Sequence, residues 1–137
     1  MTNLIVPQVG EDDAALRRLA QFVRESLGPA TPFHLLRWHP DYKMLDLPPT
    51  PISTLERLHA IAKSEGLKFV YLGNVWGHPL EHTYCPRCGA IAVERYGFVI
   101  RKWGLTDEND CVECGERIPI VGHLAEGYSP TFATPVA

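Results

Sequence analysis

Along the first eighty positions, short apolar runs alternate with helical stripes. "NLIVP" (3–7) is a compact β-branched run and predicts a buried strand. "GEDDAALRRLAQFVRESLGP" follows, with acidic residues at its start, where unpaired helix amides favour negative charge. Leu16, Leu19, Ala20, Val23 and Leu27 recur at helical spacing and predict one apolar face, with Gly28-Pro29 as the stop. "FHLLRW" (33–38) predicts a second strand, and "HPDYKMLDLPPTP" a proline-punctuated loop. A second helix starts near Pro51 to Ser53. Ser53 and Glu56 have capping-box spacing, Leu55, Leu58, Ile61 and Ala62 share a face, and Gly66 ends it. "KFVYLGNV" (68–75) is the third strand. The order strand-helix-strand-helix-strand implies parallel strands with right-handed crossovers. Continuous apolarity in "LIV", "FHLL" and "FVYL" predicts burial on both faces.

The pattern changes near residue 84. "AIAVERYGFVIRK" reads as a hairpin turning near Tyr96-Gly97, "GLTDEND" as a polar loop, and "RIPIV" as a short last strand. Residues 123–137 show no periodicity and read as a tail. The division is therefore 1–80 for the strand-helix part, 81–122 for a β module and 123–137 for the tail. The β module is bracketed by two matching knuckles, "CPRCG" and "CVECG". Their spacing is Cys85-x2-Cys88-x22-Cys111-x2-Cys114, and these are all of the chain's cysteines.

Four thiolates from two knuckles suit a closed tetrahedral metal site with no open catalytic position. The glycine after each second cysteine allows a tight backbone whose amides point at sulfur. The reading is a zinc ribbon, in which the metal staples a module too small to fold on its own core. Iron in a rubredoxin-like site is the alternative metal. A thioredoxin-type redox pair belongs beside a βαβ pattern, which does not follow Cys88. With 45% hydrophobic and 21% charged residues, no signal-peptide pattern and no run long enough to span a bilayer, the chain is expected to be cytosolic and not membrane-bound. Net charge is −3, and residues 82–121 hold five Lys/Arg against six Asp/Glu, so no nucleic-acid partner is expected.

"HLLRWHPDYK" gathers His34, Arg37, His39, Asp41 and Lys43 near the carboxyl end of the second strand, where parallel α/β sheets bind ligands. His39 is a candidate ligand contact there, or a residue that shapes the turn. Asn74 lies at the carboxyl end of the third strand. His34 lies in a strand and is expected to be a hydrogen-bonded interior residue, and His59 is expected on a helix, along its boundary. His78 and His82 flank "PLE" and read as loop residues.

The strings "HPDYK", "PPTP", "GNV" and "TYCPRCG", in this order and spacing, resemble the C-terminal part of the radical SAM proteins of the AmmeMemoRadiSam system, which are related to pyruvate formate-lyase activating enzymes. The likeness runs from Asn3 to Gly122. It implies that the strand-helix units are the last part of a β/α barrel and that the four cysteines form a zinc-ribbon-like appendage. It also implies that His39 lies near the S-adenosylmethionine site, with Arg37 and Asn74 at the same barrel mouth. The family's Cys-x3-Cys-x2-Cys motif, which holds the [4Fe–4S] cluster, is missing here. "VPQVGED" replaces a Gly-Leu-Asn-Asp turn, and His82 replaces an Asn. A full barrel needs about 200 residues or more, so radical chemistry would require a protein partner carrying the cluster half, docked along the exposed first strand. The other readings are a non-enzymatic interaction module, which could form a homo-oligomer through the sheet edge, and a single-iron electron carrier.

Overall fold

The computed structural model describes residues 1–130; the remainder of the expected tail, 131–137, lies outside the described residues. Strand β1 (Thr2–Ile5) leads to helix α1 (Asp13–Phe22), then β2 (Phe33–Arg37), α2 (Ile52–Ser64) and β3 (Val70–Gly73). These strands form a three-stranded sheet in the order β1-β2-β3, parallel throughout. A second, antiparallel sheet is built from β4 (Thr83–Tyr84), β5 (Ile91–Tyr96) and β6 (Val99–Trp103). The fold is thus mixed α/β, as the alternating pattern implied.

Ile5, Phe33, Leu35, Val70 and Leu72 point to one side of the parallel sheet and pack with Leu16, Ala20 and Val23 of the first helical segment and Leu55, Leu58 and Ala62 of α2. Both helices therefore cover the same face. Each large aliphatic or aromatic side chain removed from water here contributes about 1.5–3 kcal/mol. The other face is not covered by helices. Leu4 is 47% exposed, and His34, Leu36 and Tyr71 are half-buried. This corrects the expectation of strands buried on both sides. The apolar runs are continuous, but only alternate positions reach the helical core.

Asp12 caps α1 by accepting from the Ala15 amide at 2.5 Å, so the acidic start of the helix has the predicted role. Beyond Phe22 the backbone widens into a π turn over Val23–Leu27 and stops at Gly28, whose φ of 99° suits glycine. The altered winding leaves Leu27 exposed, although its spacing placed it on the apolar face. The predicted capping box at Ser53 and Glu56 does not form. Pro51 occupies the cap position of α2 without a side-chain cap, Ser53 lies inside the first turn, and the Glu56 carboxylate contacts His78 Nε2 at 3.2 Å instead.

The two edges of the parallel sheet differ. On β3, His59 Nε2 donates to the Val70 carbonyl at 3.1 Å, and Lys63 Nζ donates to the Lys68 carbonyl at 2.9 Å. These bonds blunt that edge. On β1, Met1 and the alternate residues after it face β2, so the backbone groups of Thr2 and Leu4 point outward. They have no partner among the described residues.

The loop after β2 returns through Thr50, which is fully buried. Its hydroxyl donates to the Ile5 carbonyl at 2.5 Å and accepts from the Trp38 amide at 3.2 Å, joining the ends of β1 and β2. Thr50→Val keeps the volume but leaves both backbone groups unpaired. It should cost about 1–3 kcal/mol, measured as a lower urea midpoint; an unchanged midpoint would show that the hydroxyl does not hold this loop.

Candidate metal centre

The two knuckles repeat one backbone design. In the first, the Gly89 amide donates to the Cys85 carbonyl at 2.9 Å, and the Cys85 amide donates to the Ala90 carbonyl at 2.8 Å. In the second, the Gly115 amide donates to the Cys111 carbonyl, and the Cys111 amide to the Glu116 carbonyl, both at 2.8 Å. Gly89 and Gly115 have φ of 75° and 71°, a region that side chains with a Cβ avoid. The second cysteine of each pair is thereby folded back toward the first.

The β5–β6 hairpin and the following loop bring the knuckles together. The four sulfurs lie within 4.8 Å of one another. Across the knuckles, Cys85 and Cys114 sulfurs are 3.6 Å apart, and Cys88 and Cys111 sulfurs 3.8 Å. A zinc ion bound tetrahedrally at about 2.3 Å from each sulfur would separate sulfurs by about 3.8 Å. The residues present therefore fit a four-thiolate metal site.

Cys85 and Cys111 are buried, whereas Cys88 is exposed and Cys114 half-exposed. Burial pushes the Cys85 thiol up. The amides of Cys88 and Arg87, with the neighbouring Cys114 and Cys88 thiols, outweigh that and bring it down to about 7. Cys114 accepts from the Glu116 amide, but burial and the three other cysteines push it up to about 12. One thiolate thus disfavours the next, and full ionisation calls for a cation among them.

The centre is tied to the parallel sheet by a second apolar cluster. Cys85, Cys111, Ala92, Val93, Leu105 and Ile118 are buried together with Phe69, which immediately precedes β3. The ribbon therefore packs on the sheet rather than hanging from it. The expected strand at "RIPIV" is reduced to one bridge, Asp110 to Arg117. Pro119 has no amide to continue a ladder, but Ile118 still reaches the core.

His78 and His82 do not join the sulfurs. His78 Nδ1 accepts from the Leu80 amide, and His82 Nδ1 accepts from the Arg95 amide, each at 3.2 Å. The candidates expected near the carboxyl ends of the strands are partly assembled. Arg37 closes β2 and donates from Nε to the Thr50 carbonyl at 2.9 Å. Asn74, in left-handed backbone geometry with φ of 60°, donates to the Arg37 carbonyl at 3.0 Å. His39 is exposed, and its Nδ1 lies 3.3 Å from the Pro40 carbonyl. All three thus sit at the carboxyl end of the sheet, with Arg37 and Asn74 linked and His39 apart.

The fold and site define a small α/β protein with a four-cysteine cluster able to hold a metal ion. No family model matches the chain. The uncharacterized protein MJ0808 of Methanocaldococcus jannaschii is 52% identical over 122 residues, which cover 88% of this chain. The chain spans 37% of that relative's length.

Cys88→Ala removes a ligand from the exposed side of the cluster and leaves the buried sulfurs in place. Zinc affinity should fall by more than the roughly 10–100-fold cost of losing an outer-shell partner. Competition with a chromogenic chelator measures this. Retention of wild-type affinity would mean that Cys88 is not a ligand.

Proposed function

We propose that this chain is the C-terminal, metal-stapled part of a radical SAM activase-like assembly. In this reading a zinc ion held by Cys85, Cys88, Cys111 and Cys114 fixes the ribbon. The three parallel strands supply an arc of a β/α barrel, and a partner carrying the [4Fe–4S] half supplies the radical chemistry. Zinc would act here as a closed structural ion with no position for substrate.

The observation that carries the proposal is the arrangement of the sheet. Its strands run in sequence order, both helices cover one face, and the outward groups of β1 have no partner among the described residues. In a barrel all helices lie outside and the other face turns inward. A doubly wound sheet instead places helices on both faces and reverses its strand order. The β3 edge, blunted by His59 and Lys63, leaves β1 as the side for the partner. His39, Arg37 and Asn74 would then face the S-adenosylmethionine side of the joint site.

The test is tagged purification under anaerobic conditions, with copurifying proteins identified by mass spectrometry. The expected partner carries Cys-x3-Cys-x2-Cys, and the reconstituted complex cleaves S-adenosylmethionine to 5′-deoxyadenosine. A stable monomer that binds no such protein would contradict the reading. A concentration-dependent dimer lost on Leu4→Pro would instead support pairing of two copies through β1.

A further inference from the structure

The sheet face opposite the helices carries, at its seam with the ribbon, a polar cluster that neither the metal centre nor the Arg37–Asn74 pair uses. Arg95 reaches from β5 toward β3. Its Nη1 donates to the Thr83 hydroxyl at 2.6 Å and to the Glu81 carbonyl at 3.5 Å. The guanidinium carbon lies 5.7 Å from the centroid of the Tyr71 ring. The His34 ring stacks on Tyr71 with centroids 4.9 Å apart and planes at 27°. The Tyr71 hydroxyl pairs with the Thr83 hydroxyl at 3.1 Å.

Arg95 is half-buried, yet no carboxylate among the described residues lies within ion-pair distance of it. Glu81 is the acid whose charge bears on it. One oxygen of that carboxylate is already held by the Gly77 and Gly97 amides, at 2.8 and 3.4 Å. Half-buried cations are normally paired, because removal from water is costly. A guanidinium offers five donors in a fixed fork, and the contacts named here engage only Nη1. Among the described residues, the one buried side-chain polar atom left without a partner is Asn109 Oδ1. The remaining Arg95 nitrogens are therefore not fully sealed from solvent.

We propose that Arg95, over the Tyr71 ring on which His34 stacks, forms an oxyanion site at the seam between the ribbon and the helix-free face of the sheet, taking the carboxylate or phosphoryl group of a small ligand. The fork binds two oxygens of a planar or tetrahedral anion, and the Tyr71 ring supplies a flat wall that His34 backs by stacking. The inference does not rest on the barrel reading, because every residue involved belongs to this chain.

The charged and titratable groups facing His34 are the Met1 ammonium just before β1, Tyr71 on β3 and Arg95 on β5. Burial first, then the ammonium and Arg95, hold the His34 imidazole below its ordinary value. An anion on Arg95 cancels part of that positive field. His34 then protonates more readily, so binding tightens as pH falls through the histidine range.

The test uses the full zinc-loaded chain and follows the His34 ring resonance by NMR. Sulfate and acetate are the probes, because neither changes charge between about pH 6 and 8. Saturable shifts at His34 and an upward move of its titration midpoint are expected with at least one anion. Saturation by sulfate alone would assign a phosphoryl-type ligand, and by acetate alone a carboxylate. Arg95→Gln should weaken binding about tenfold or more, because charge-assisted bonds are lost. Should Arg95→Gln fail to fold, Arg95→Lys keeps the charge but not the fork, and should weaken binding of the planar probe. His34→Phe keeps the stack and should abolish the tightening at low pH. Absence of any saturable shift up to roughly 0.1 M anion, or wild-type affinity in a folded Arg95 variant, would overturn the proposal.

Discussion

Four thiols gathered within 4.8 Å cannot all ionise unless a cation lies among them, and the ribbon depends on that constraint. Its own apolar core is small: Ala92, Val93, Leu105 and Ile118, completed by Phe69 from just before β3. A module of this size gains too little from burial to offset the ordering of its backbone. A metal held there would supply the missing free energy, because only the folded knuckles present the thiolates together.

The same constraint extends into the parallel sheet. Phe69 sits in the ribbon's core, while the adjoining Val70 sits in the helix-backed core. Consecutive residues of one segment thus serve two clusters on opposite sides. Glu81, held by the amides of Gly77 and Gly97, ties the loop after β3 to the tip of the β5–β6 hairpin. The ribbon and sheet are therefore mechanically coupled, and loss of metal should be felt at β3.

Much of this was legible in the sequence because its signals are local. Knuckle spacing and the trailing glycines announced the cysteine cluster, and helical spacing placed Leu55, Leu58 and Ala62 in the core. What stayed hidden depends on long-range contact. Nothing local shows that Arg95 lies over Tyr71, or that His59 reaches the Val70 carbonyl. The π turn that turns Leu27 outward is likewise absent from any apolar period. The capping-box spacing at Ser53 and Glu56 misled because Pro51 had already opened the helix.

The most direct measurement is elemental analysis of the untagged protein, with a visible spectrum recorded beside it. The account predicts one zinc per chain and no colour, with loss of the metal on acidification as protons compete for the thiolates. One iron per chain with a thiolate charge-transfer spectrum would make the centre an electron-transfer site. A folded, metal-free ribbon would contradict the account altogether.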